Sequence, residues 1–311
     1  MIPDNNKSVR KICECKDYKT FANEMDYLIN FLRNFSDLIF LNGHIITFIA
    51  SDRIFILNTS LIESSIQTLQ SIKLCCSIGS FSDANTLIRK LRDDLILYSY
   101  ILNIKLRKPF VEDDLKELKN DTLGNFTNSF LNIRPYNNLS DDVKAVEAWF
   151  NNKVNDLPVK IKKKLEFGNY MNALKQNENI VQILYDYKLK DYWETLGKNL
   201  NNYVHNNGSQ FSTQNFIKAN DKFLKTHLKN INFRVTYISS FFVIALLMID
   251  SSLISATDNI DYLDCELEPP NGCQYLVAPF MQEFINKKVA KLHPKLKQYL
   301  IDNNICGMKI E

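Results

Sequence analysis

The sequence predicts an all-α protein, and three observations carry that expectation. Glycine and proline occur only eight times each in 311 residues, too few for the frequent turns of a sandwich, a barrel or a doubly wound sheet. Hydrophobic residues make up 45% and charged residues 23%, the balance of a chain that folds around a core rather than a disordered one. From residue 59 to 104 apolar positions recur at three- and four-residue spacing, the period of a helix with one buried face.

Taken in order, residues 17–40 (DYKTFANEMDYLINFLRNFSDLIF) place Phe21, Met25, Leu28, Phe31 and Leu32 on one side of a helix. The stretch HIITFIASDRIFILNTS is rich in isoleucine, phenylalanine and threonine; it fits a short hairpin, although each arm also reads as helix. In TSLIESSIQTLQSIKLCCSIG, Ile62, Ile66, Leu69, Ile72 and Cys76 form one stripe, and Gly79 is a natural terminator. Ser80 or Ser82 then offers an N-cap, with Asp83 in the first turn, for ANTLIRKLRDDLILYSYILN, whose stripe is Ala84, Leu87, Leu91, Leu95, Tyr98 and Leu102. Residues 60–76 and 83–103 are therefore expected as antiparallel helices in contact.

Residues 105–140 are polar and turn-rich and read as an insertion. A shorter helix is expected after Ser140, and another over YMNALKQNENIVQILYDY. KDYWETLGKNLNNYVHNNG, residues 190–208, continues as a helix with Leu189, Trp193, Leu196, Leu200 and Val204 inward and Glu194, Lys198, Asn201 and His205 on the neighbouring stripe. Beyond Gly208, STQNFIKANDKFLKTHLK and the apolar run 235–249 read as two more helices, with a last one near 278–302. The pattern divides the chain into an N-terminal segment (1–58), a helical core (59–208, with an insert at about 105–186) and a C-terminal helical region (209–311).

A net charge of +3, from 38 basic and 35 acidic residues, provides no global field for nucleic acid, so any such contact is local. The basic runs KIKKK (160–164) and KKVAKLHPKLK (287–297) fit solvated helix faces. Seven cysteines, Cys13, Cys15, Cys75, Cys76, Cys265, Cys273 and Cys306, show no C-x-x-C spacing, which argues against structural zinc and for a reducing cytoplasm. The N-terminus lacks the apolar segment of a signal peptide. VTYISSFFVIALLMI gives 15 uncharged residues, short of the roughly 20 that span a bilayer, so a buried helix is expected rather than integral membrane insertion. No glycine-rich phosphate loop, H-E-x-x-H or G-x-S-x-G is present, and His44, His205, His227 and His293 are far apart; neither a cofactor nor a metal is expected.

A helical hairpin whose second arm reads ANTLIRKLRDDLILYSYI, followed after an insert by a helix ending NLNNYVHNNG, resembles the HEPN superfamily (higher eukaryotes and prokaryotes nucleotide-binding). The resemblance covers about 59–104 and 187–208, under a third of the chain. It implies a HEPN-like helical bundle, a homodimer, RNA as a partner, and a metal-independent endoribonuclease of bacterial toxin or antiviral (antiphage) defence type, met by a neutralising or sensor protein partner. Ribonucleases of that superfamily carry an arginine, a short spacer and a histidine on the last core helix. The histidine maps to His205, whereas spacers of four, five and six residues place the arginine at Leu200, Asn199 and Lys198. Lys198 keeps the charge without the planar fork that grips a phosphate by two bonds.

Cleavage by the 2′-hydroxyl needs a proton-exchanging group and positive charge at the phosphate. His205, Lys198 and Asn201 can supply base, charge and an orienting amide from one stripe. Arg89 or Arg92, one turn apart on the hairpin, can replace the missing arginine, with Asp93, Glu63 and Asn202 in supporting positions. Plainer roles stand beside these: His205 as a helix-terminal charge, Arg89–Asp93 as an ordinary i,i+4 pair, the asparagines as a helix end, and Glu63 as a surface charge. The alternative function is a non-catalytic helical interaction module that has lost the nuclease arginine; a membrane-associated effector using 235–249 is a third.

Overall fold

The computed structural model describes residues 11–41, 46–50, 53–106, 140–256, 262, 267, 276–304 and 308–311. Of the insert expected at about 105–186, residues 107–139 lie outside the described residues, as do Cys265, Cys273 and Cys306. The class is all-α, with one short hairpin. In chain order come α1 (Lys16–Leu41), β1 (Ile46–Ala50) and β2 (Arg53–Leu57), then α2 (Ser60–Ser77) and α3 (Phe81–Leu106). From residue 141 on follow α4 (Asp141–Phe150), α5 (Phe167–Leu174) and α6 (Glu178–Asp186), all within the expected insert, and then α7 (Leu189–Val204). The rest is α8 (Ser209–Thr213), α9 (Leu224–Ile249), α10 (Pro279–Lys287) and α11 (Leu296–Asn303).

The expected helices α1, α2 and α3 form because their apolar stripes have one place to go. Phe21, Met25, Leu28, Phe31 and Leu32 are buried, as are Ile62, Ile66, Leu69, Ile72 and Cys76, and α2 packs against α3 along its length. Gly79 ends α2 with φ +82°, a left-handed conformation that suits glycine. Between α1 and α2 the chain takes the hairpin alternative: β1 and β2 pair antiparallel with Phe48 opposite Phe55.

Several boundaries differ from the periodicity. YMNALKQNENIVQILYDY is two helices, because the Asn177 side chain accepts from Asn179 and Ile180 N–H and starts α6 anew. The last segment is also two, α10 and α11, with Pro294 in the connection. Conversely, the change from amphipathic to wholly apolar sequence at Val235 breaks nothing: α9 runs unbroken through it, since no glycine or proline interrupts residues 224–249.

Helix α9 is the axis of the core. By length and composition it could cross a membrane, yet 78% of its apolar window is buried inside the fold. Phe242 meets Phe35 of α1 edge-on at 5.6 Å and Tyr98 of α3 at 6.1 Å, while Phe241 lies 4.5 Å from Trp193 of α7. A helix apolar all round is stable only where neighbours cover every face, and here they come from both ends of the chain. One continuous core includes α1, α2, α3, α7, α9 and α10.

Candidate functional site

Helices α3 and α7 pack together, as an α3 arginine acting beside His205 requires, but Arg92 is spent elsewhere. It is only 3% exposed. Its Nε and Nη2 donate to Asp93 Oδ1 at 2.9 and 2.7 Å, and its guanidinium lies 3.7 Å over the Phe167 ring. Burial lowers the Arg92 pKa and raises that of Asp93, with the pair's mutual attraction opposing both shifts. Arg89 faces the same carboxylate, Nε to Oδ2 at 3.7 Å. The expected Arg89–Arg92–Asp93 grouping therefore exists, as a clamp within the fold.

Within one chain the Arg92 end of the clamp also sits away from His205. Arg92 Nη1 lies 3.2 Å from where a Cβ on Gly197 would stand, and His205 is eight residues farther along, about 12 Å by helical rise. Glycine inside α7 weakens the helix by about 1 kcal/mol against alanine; it is tolerated here because Arg92, held by Asp93 and Phe167, needs the space. Gly197→Ala alone is expected to gain little or no stability, whereas in an Arg92→Met background it should recover about 0.5–1 kcal/mol, measured by denaturant unfolding. Equal gains in both backgrounds would show that Arg92 does not hold Gly197 in place.

Glu63 pairs with none of these arginines; it is exposed and accepts from Ser36 Oγ of α1 at 2.6 Å. Lys198, Asn201 and His205 do share one face of α7, and all three are exposed. His205 caps the helix, its N–H donating to Asn201 O at 3.0 Å, and its imidazole makes no hydrogen bond to another described residue. The asparagines also end the helix: Asn206 takes φ +48°, and Asn207 N–H reaches back to Asn202 O at 3.0 Å. Asn202 Oδ1 accepts from Asn207 Nδ2 at 3.2 Å. Val204, expected inward, is 37% exposed because the helix leaves the core in its last turn.

What lies beside this helix end was not visible in the periodicity. Arg234 of α9 donates to Asn85 of α3 and stands 5.5 Å over the ring of Tyr203, two residues before His205. The Tyr203 hydroxyl donates to Gln214 at 3.0 Å, and its ring meets Phe211 edge-on at 4.9 Å. Asn215 then ties the segment to the start of α3, where its Oδ1 accepts from Ser82 and Asp83 N–H at 2.9 and 3.2 Å. The cap expected from Ser80 or Ser82 is thus supplied by a distant asparagine, and Ser80 Oγ instead meets Asp83 at 2.5 Å. Gly79 is required a second time here, since a Cβ on it would fall 2.0 Å from Ile217 O.

His227, one turn into α9, stacks on Phe81 at 5.0 Å and faces an open cleft of about 470 Å³ between α8 and the start of α9. Burial lowers its pKa below the ordinary 6.5, Asp221 partly offsets this, and Arg234 adds to the lowering. As the pH falls below 6.5 the unfolded chain takes up this proton first, so stability declines until the folded-state pKa is passed. His227→Gln is expected to flatten that part of the stability–pH curve, measured by thermal melts between about pH 7 and 5; an unchanged slope would exclude His227 as a contributor. Among the described residues no three His, Cys, Asp or Glu side chains converge as a metal-ligand set.

No curated protein and no solved structure matches the chain. The model of a family of unknown function (DUF5677) matches residues 56–223, from β2 through α2, α3 and α7 to the residue before α9. That span includes Arg92, Lys198 and His205 and exceeds half of the 311 residues, so the chain belongs to the DUF5677 family.

Proposed function

We propose that this protein is a HEPN-like endoribonuclease that cuts RNA without a metal, in bacterial antiphage defence or as a toxin. One observation carries the proposal. His205 stands exposed, its imidazole without a hydrogen bond among the described residues, on the face that holds Lys198 and Asn201, while Arg234 lies over Tyr203 at the same helix end. In the reaction His205 takes the proton of the 2′-hydroxyl, whose oxygen bonds to phosphorus as the bond to the 5′-oxygen breaks. The 5′-oxygen leaves with a proton from the histidine of a second copy, and a 2′,3′-cyclic phosphate remains. Lys198 and Arg234 supply the positive charge that offsets the charge gathering on the phosphate.

A second reading, a non-catalytic helical interaction module, is favoured by the fate of Arg92, which is buried against Phe167 and Asp93 instead of facing solvent. Incubating the purified protein with total RNA in EDTA, beside His205→Ala, separates the two. Cleavage that leaves cyclic phosphate ends and vanishes in the variant supports the nuclease. Intact RNA throughout supports the module.

A further inference from the structure

The cleft beside His227 is floored by polar groups and flanked by exposed aromatics. Gln210, Gln214, Thr226, His227 and the carboxylate Asp221 line it, together with Phe216 and Phe223. These two phenylalanines are 76% and 53% exposed, leaving two large apolar rings in contact with water beside one cleft. Along this stretch of the sequence basic residues outnumber acidic ones, although Asp83 also lies near, accepting from Asn215 Nδ2 at 3.1 Å. Between Gln210 and Lys229 the chain carries Lys218, Lys222, Lys225 and Lys229 against a single carboxylate, Asp221. Asp221 is occupied in starting α9, accepting from Phe223 N–H at 2.7 Å. Lys225 faces Asp17 at 3.8 Å, whereas Lys218 and Lys222 have no carboxylate within ion-pair distance among the described residues. Lys222 Nζ lies 4.9 Å from the centre of the Phe223 ring.

We infer that this cleft binds an unpaired nucleotide of a single-stranded RNA. The base stacks on Phe216 and Phe223, the amides of Gln210 and Gln214 and the imidazole of His227 meet its polar edge, and Lys218 and Lys222 take the adjoining phosphates. Each part answers a need of that ligand. Every base has an apolar face for an aromatic ring, and a duplex hides that face in its own stack. The phosphates need unpaired cations. Burial lowers the His227 pKa, which favours the neutral ring, where one nitrogen accepts and the other donates. A protein partner fits less well, since two exposed rings among lysines and amides offer too small an apolar centre for a stable interface. The cleft adjoins the His205 end through Tyr203 and Gln214, and a strand seated there runs toward that histidine. The choice of RNA as polymer rests on the nuclease proposal; the stacking site itself does not.

The test is fluorescence anisotropy with a labelled single-stranded RNA dodecamer, its duplex, and single-stranded DNA of the same sequence, each at two salt concentrations. The full chain is used with His205→Ala, so that the probe stays intact. Tight binding of the single strand over the duplex is expected. Phe216→Ala and Phe223→Ala should each weaken it roughly 5- to 100-fold, with melting temperatures unchanged because both side chains are exposed. Lys218→Gln with Lys222→Gln should make binding less sensitive to salt. Phenylalanine-dependent RNA binding without cleavage by the wild type keeps this site and overturns the nuclease. Cleavage with RNA binding indifferent to both phenylalanines does the reverse. Equal binding of duplex, preference for DNA, or loss of self-association instead of RNA binding in the phenylalanine variants would also overturn the site.

Discussion

His205→Ala is expected to lower RNA cleavage about 10²–10⁴-fold, the usual loss when a positioned acid–base group is removed, with almost no change in stability. The two effects separate because of where the residue sits. Its imidazole is exposed at the end of α7 and has no hydrogen-bond partner among the described residues. Removing it therefore opens no cavity and strands no buried group. A charge at an exposed helix terminus contributes only about 0.3–1 kcal/mol, so unfolding curves of variant and wild type should nearly superimpose. His205→Gln keeps hydrogen bonding but not proton exchange near neutral pH and should be as inactive as the alanine variant. Full activity in either variant, or a stability loss of several kcal/mol, would remove His205 from the chemistry.

The largest stability effect is expected at Phe242. Its side chain is fully buried and touches Phe35 and Tyr98, so it joins α1, α3 and α9 at one point. Phe242→Ala should destabilise the protein by about 3–5 kcal/mol, from lost transfer free energy and the cavity left behind. The value is read from denaturant unfolding of protein purified without detergent. It also bears on the nature of α9. If that helix lay in lipid, truncating one side chain would leave no cavity among protein neighbours, and the chain would need detergent to remain monodisperse. A loss below about 1 kcal/mol, or detergent dependence, would contradict the packing described here.

Much of the helical framework was legible in the sequence because its cause is local. The stripes of α1, α2 and α3 repeat with the helical period over many residues, and each apolar position on them is buried, save Leu87, which is partly so. Gly79 and Ser140 mark a helix end and a helix start by their own backbone and side-chain chemistry, the latter accepting from Val143 N–H. Local chemistry also placed Lys198, Asn201 and His205 on one exposed face, since three- and four-residue steps stay on one side of any helix.

What the sequence by itself determined, then, was which segments are helical, which faces are apolar and which polar groups share a face. Only the tertiary structure decided what those polar groups meet. Arg92 reads as a cation off the stripe with Asp93 in support, and it became a buried clamp because Phe167, Asp93 and Gly197 converge on it from three helices. Asn215 caps a helix that begins more than 130 residues earlier, and Arg234, the residue just before the apolar run 235–249, reaches Asn85 and Tyr203. The physical reason is common to all three. Periodicity reports whether a side chain leaves water, but hydrogen bonds, ion pairs and ring contacts depend on distances of a few ångströms. Those distances are set when α3, α7 and α9 pack, and no local pattern records them.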